Sequence, residues 1–70
     1  MDRVSVTSSN LASVGYDPET LTLEIEFHSG SVYQYFKVPL ALHSRLMAAR
    51  SLGRFFHKHI EDRYQYKRVA

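Results

Sequence analysis

Histidines offer this chain its most versatile chemistry, and their spacing limits what it can be. His57-Lys58-His59, with His43 upstream, invites a metal ligand set. On a helix, residues two apart point nearly opposite ways, and no carboxylate stands at a helical spacing that would complete the set. The chain has no cysteine, so thiolate zinc sites and disulfides are excluded. These histidines read as solvated helix residues, and no metal or other cofactor is expected. Nucleophilic catalysis at Ser8, Ser9, Ser44 or Ser51 would need a positioned base. Ser8 and Ser9 have no histidine near them in sequence, and Ser51 occupies a capping position. Glu24 and Glu26 share one strand face and could imitate an acid–base pair, yet alternating glutamates ordinarily keep such a face wet. A chain of 70 residues also leaves little room for a pocket, so enzymatic activity is not expected.

Anion contact is the remaining chemistry. Arg50-Ser51-Leu52-Gly53-Arg54 places two guanidinium groups and a small residue at the start of a helix, where N–H groups favour negative charge. The competing reading is that Gly53 merely lets two helices pack closely. Basic and aromatic residues interleave at Phe36-Lys37, Arg54-Phe55 and Tyr64-Gln65-Tyr66-Lys67-Arg68, a pattern suited to nucleic acid. The candidate contacts are Arg50, Arg54, Phe55, Lys58, Lys67 and Arg68. Phe55, Phe36 and Tyr66 are the aromatics free to stack on a base, since the others are needed in the core.

Charge is distributed unevenly. Residues 1–36 set five acidic side chains against Arg3 alone, whereas residues 37–70 set eight basic against two acidic. Either the basic half meets an anionic partner, or the two halves attract one another within the fold; the second reading takes precedence on the sequence. Apolar and charged fractions of 44% and 23% are those of an ordered globular chain. No apolar run approaches a membrane span, and the N-terminus lacks the apolar stretch of a signal peptide. A cytoplasmic protein without membrane contact is expected.

The elements that must position these residues are short. Leu21, Leu23, Ile25 and Phe27 alternate with polar residues over Thr20 to His28, a strand with one wet face. Leu11 to Tyr16 reads as a strand before it, joined by a turn at Asp17-Pro18-Glu19-Thr20. Ser31 to Val38 reads as the return strand, giving a three-stranded antiparallel meander. Pro39 suits a first helical turn, and a helix to about Arg50 aligns Leu42, Leu46 and Ala49. Ser51 then caps a second helix from Leu52 to about Asp62, with Leu52, Phe56 and Ile60 inward. The class is α+β, β-β-β-α-α, in one domain over 1–70 with its core at about 4–66. Tyr64 to Ala70 is either a basic tail, most clearly at 67–70, or a short extra strand.

The hairpin leaves two registers open. A two-residue loop, Ser29-Gly30, turns Val32 and Phe36 inward and both Tyr33 and Tyr35 outward. A three-residue loop, His28-Ser29-Gly30, with a left-handed Gly30 in a bulge, sets Tyr33 opposite Ile25 and Tyr35 opposite Leu23 in the core.

Read in order, Val6-x-Ser8-Ser9-x-Leu11, Gly15-Tyr16-Asp17, Gly30-x-x-Tyr33-x-Tyr35-x-x-Val38-Pro39 and Ala49-x-Ser51-x-Gly53-x-Phe55-Phe56-x-x-x-Ile60-x-x-x-Tyr64 resemble the KTSC domain. That family is named after the C-terminus of some lysyl-tRNA synthetases and also includes free-standing bacterial and phage proteins. The resemblance leaves out the tail after Tyr66. It implies a compact binding domain without catalytic residues, and its synthetase context implies RNA as a partner. Tyr33, Tyr35 and Gly30 form its central motif, which reads as architecture and selects the inward register; Pro39, Ser51 and Gly53 are structural in the same sense. A protein-interaction or homodimerising module is the alternative.

Overall fold

Thr22–Phe27 forms β3 where Leu23 and Ile25 alternate with Glu24 and Glu26 in the computed structural model, which describes residues 1–70. Antiparallel neighbours flank it, β2 (Leu11–Asp17) on one side and β4 (Val32–Tyr35) on the other. Two three-residue strands extend this meander to five. β1 (Arg3–Ser5) lies beside β2, and β5 (Tyr66–Arg68) lies beside β4, in the spatial order β1-β2-β3-β4-β5. The α+β class therefore holds, but the sheet has five strands rather than three. Residues 67–70 are no loose tail: beyond β5, Val69 N–H donates to the Val32 carbonyl at 2.8 Å and Val32 N–H to that of Ala70 at 3.2 Å.

The β3–β4 hairpin adopts the three-residue loop. Gly30 has φ +96°, a conformation that costs a side-chain-free residue little. Its N–H donates to the Phe27 carbonyl, and Phe27 N–H donates to that of Ser31, each at 2.9 Å. The resulting register pairs Ile25 with Tyr33 and Leu23 with Tyr35. Both tyrosines thus share the face of Leu23 and Ile25, with Tyr35 only 3% exposed and Tyr33 half-buried.

Backbone irregularities trim the expected strands. Leu21, expected inward at the head of β3, instead has φ +56° and is 39% exposed, and its carbonyl accepts the Val38 N–H. Lys37, at φ +59°, turns the chain out of β4 before Val38, which is fully buried. In β2, Leu11 pairs with Phe27 and Ser13 with Glu26, leaving Ala12 as an extra residue. This bulge lets Leu11 and Val14 both reach the core although they stand three positions apart, an odd spacing that would otherwise put them on opposite faces.

One face of the sheet is covered by two short helices. α1 (Leu40–Met47) follows Pro39, which is extended and serves as the N-cap residue. It ends before Arg50 because Ser51 must itself be extended, at φ −123° and ψ 104°, to cap the next helix. The Ser51 hydroxyl accepts the Arg54 N–H, and α2 (Leu52–Phe56) begins. His57–Glu61 then widens into a π-helical turn where an uninterrupted α-helix was expected. Leu46, Phe56 and Ile60 project onto Leu11, Val14, Leu23, Ile25, Tyr35 and Val38 to form the buried core. No helix is long and apolar enough to cross a membrane.

Candidate functional site

The strand glutamates are structural. Glu24, 7% exposed, accepts from Arg3 Nη1 at 2.6 Å and from Gln34 Nε2 at 2.8 Å. Ser13 donates to Glu26 at 2.8 Å and accepts from Arg3 Nε at 2.9 Å. Burial alone would raise the Glu24 carboxyl; the hydrogen bonds from Gln34 and Arg3, with the charges of Arg3 and the N-terminus, outweigh it and hold the carboxyl below its ordinary range. A carboxylate so held is a poor proton shuttle. Ser8 and Ser51 are likewise committed to backbone work. Ser8 Oγ accepts the Leu11 N–H, Ser51 caps α2, and His28 Nε2 reaches the Ser8 carbonyl at 2.7 Å rather than a hydroxyl.

The two close helix histidines go separate ways. His57 Nδ1 bonds Glu61 at 2.5 Å, four residues on. His59 lies against Phe55, ring centroids 4.5 Å apart, and the Arg45 guanidinium covers the Phe55 ring at 5.4 Å. His43 stacks on Tyr16 at 4.5 Å, nearly parallel, while the Tyr16 hydroxyl donates to the Val38 carbonyl at 2.6 Å.

Around Phe55 and His59 the helices gather positive charge. Burial first, then the fields of Arg45, Lys58 and Arg63, hold the His59 imidazole below its ordinary range. Arg54 and Lys58 stand one turn apart on α2 and its π extension, both exposed, and exposed Arg50 precedes Ser51. Arg45 and Arg63, absent from the sequence-derived set, complete this surface from α1 and from the chain after the π turn. Their individual positions carry no motif; only the packing of α1 beside α2 brings Arg45 to Phe55.

Lys67 and Arg68 are elsewhere. Lys67 pairs with Gln34, which pairs with Glu24, so it lies on the sheet face opposite the helices. Arg68 pairs with Tyr33 at the sheet edge and donates through Nε to the Ala70 carbonyl. The six candidate contacts therefore do not form one surface: Arg54 and Lys58 go together, and Lys67 is turned away. Phe55 packs against the core with its ring already in contact with Arg45 and His59, so it is not a free stacking platform. Tyr66, 59% exposed, is far more open.

Gly53 does not serve to bring the two helices together. A Cβ placed there would meet Asn10 Nδ2 at 3.5 Å and Ser8 Oγ at 3.6 Å, so it faces the β1–β2 connection rather than α1. There it borders a cleft of about 300 Å³, lined by no hydrophobic residue and shared with Ser9, Asn10, Ser51, Arg54 and His57. Only two ion pairs exist, Arg3–Glu24 and His57–Glu61. Each lies within its own half of the chain. The mutual attraction of acidic and basic halves expected from the sequence is thus not expressed in ion pairs.

Comparison with known proteins agrees with this architecture. The family model described as "KTSC domain" matches residues 7–69, which extends past Tyr66 into the segment that forms β5. The crystal structure of a KTSC domain protein from Yersinia pestis is 39% identical, with a TM-score of 0.96 over 99% of this chain and 97% of that one. An uncharacterized protein of Stutzerimonas stutzeri is 46% identical over 99% of both chains. A lysine–tRNA ligase of Nostoc sp. is 47% identical over 79% of this chain but only 10% of its own length, so this chain spans about a tenth of that enzyme.

Proposed function

The chain belongs to the KTSC domain family, and on that footing we propose that it is a non-catalytic binding module that contacts RNA phosphates through its helical face. The observation that carries this reading is the convergence of Arg45, Lys58 and Arg63 about Phe55 and His59, with no acidic side chain paired to any of them. Unpaired guanidinium and ammonium groups on one face are the electrostatic footprint of a phosphate-binding surface. The occurrence of a similar segment in lysine–tRNA ligases, whose name specifies tRNA, supports the same partner.

Titration of single-stranded RNA across a salt series tests it. Contact with about three to five phosphates gives a log–log salt slope near −2 to −3.5. Lys58→Ala should weaken all sequences alike and reduce that slope by about one contact, because phosphates carry no base information. Lys67→Ala, on the opposite sheet face, should leave it unchanged. Absence of binding at low salt, or equal effects of the two substitutions, would remove the helical face from consideration. A second reading, association through the exposed sheet edges, rests on Val4 and Tyr66, 57% and 59% exposed on β1 and β5. It predicts a mass that rises with concentration and ignores salt.

A further inference from the structure

A second concavity, of about 360 Å³, opens between the β3–β4–β5 end of the sheet and the end of the π turn. Its walls are aromatic, from Phe27, Tyr33, Tyr35 and Tyr66, and its charged groups are Glu61 and Asp62. The three tyrosines form one cluster: Tyr66 lies 5.7 Å from both Tyr33 and Tyr35, which are 6.5 Å from each other, centroid to centroid. Asp62 enters no ion pair, and Glu61 has only the Oε1 contact to His57, leaving its second oxygen without a protein partner.

We propose that this cleft receives an arginine side chain of a partner protein, its guanidinium stacked on the tyrosine rings and bonded to the Glu61 and Asp62 carboxylates. Tyrosine faces attract cations through the ring quadrupole, and a planar guanidinium can stack on a ring while its N–H fork engages carboxylate oxygens. The field at the cleft has the required sign. Burial first, and then Glu61, the Tyr33 and Tyr66 hydroxyls and Asp62, push the Tyr35 phenol well above the ordinary tyrosine range. A nucleobase would suit the rings but would bring its phosphate toward two carboxylates, so a cation is favoured. The volume lies at the small end of ligand clefts, as a single side chain requires. The π turn that carries Glu61 is itself a helical irregularity of a kind frequent at functional sites. This site is distinct from the helical basic face and does not depend on RNA being bound there.

The experiment follows the ring resonances of Tyr33, Tyr35 and Tyr66 by NMR while N-acetyl-arginine amide is added. N-acetyl-citrulline amide, alike in shape but uncharged, provides the comparison. Saturable shifts confined to these rings are expected with the arginine compound, and binding weaker by about tenfold or more with citrulline. Asp62→Asn combined with Glu61→Gln should abolish the arginine response. Should the double variant unfold through loss of the His57 contact, Asp62→Asn alone, at an exposed position, should still weaken it severalfold. No saturable response to arginine, equal affinity for citrulline, or an undiminished response in the carboxamide variants would overturn the proposal. Tighter binding of a nucleoside monophosphate at the same rings would overturn it in favour of a base pocket.

Discussion

At the scale of single residues, Tyr35 and Glu24 show how differently neighbouring positions on two paired strands are held. Tyr35 packs edge-on to Phe56 at 5.3 Å and is almost fully buried, so Tyr35→Ala should destabilise by about 3–5 kcal/mol. Tyr33 is half-buried, and its truncation should cost about half as much in the same urea melts. Gln34 between them reads from sequence as a wet-face residue whose loss is neutral. Its amide instead donates to the Glu24 carboxylate at 2.8 Å, so Gln34→Ala should cost about 1.5 kcal/mol. Glu24 also sets a pH dependence. Its carboxyl is held below the ordinary 4.5 when folded, so it stabilises the fold above that value and ceases to do so as pH falls through the lower folded value. The melting temperature should drop on acidification below 4.5, and Glu24→Gln should flatten that limb while lowering stability at neutral pH. An acid limb unchanged in the variant would place the responsible proton on another group.

Among the elements, two glycines separate close packing from simple tolerance. A Cβ on Gly15 would stand 2.8 Å from the Asp2 carbonyl oxygen and 2.9 Å from Arg3 Cγ, so Gly15→Ala must push β1 off β2. A loss of about 1–3 kcal/mol is expected, with faster amide exchange in β1. Gly53 meets only ordinary contacts and is helical, so Gly53→Ala should gain about 0.5–1 kcal/mol. A destabilised Gly53→Ala would show that the cleft beside it tolerates no added atom. What was legible from sequence follows the same division. The hairpin register stays open on the residues alone, because inward Val32 and Phe36 argue for one loop length and Gly30 for the other; only the resemblance selects the three-residue loop, which Gly30 closes at φ +96°. β1 could not be read at all, since three residues carry no period. The π turn could not, because Phe56 and Ile60 keep a helical spacing whether or not the turn widens at His57. Arg54 and Lys58 were legible as a pair on one helix. Arg45 and Arg63 come from other elements and depend on packing, and the side of Lys67 depends on a strand whose existence sequence left open.

For the whole molecule, the question is what its last four residues contribute. The cysteine-free chain draws its stability from one small core, and a domain of this size buries a modest fraction of its unfolded surface. Its sheet is open, so β5 covers the edge that β4 would otherwise present. Three backbone bonds join Val32 to Val69 and Ala70, and β5 lays Lys67 beside Gln34 and Arg68 beside Tyr33. Removing residues 67–70 deletes these contacts while leaving the buried core residues, the last of them Ile60, intact. At about 1 kcal/mol net for each backbone bond, the loss should be about 2–3 kcal/mol. In a domain of this size that lowers the melting temperature by about 10 °C or more. The shortened chain should also expose an unpaired edge at β4, a template for pairing with another copy. Sedimentation should therefore show association of the truncated chain at concentrations where the full chain's distribution does not change. An unaltered melting temperature would mean that β5 frays at no cost and that the domain effectively ends at Tyr66. A lowered melting temperature without association would keep β5 as a stabilising strand but remove its role as a protective edge.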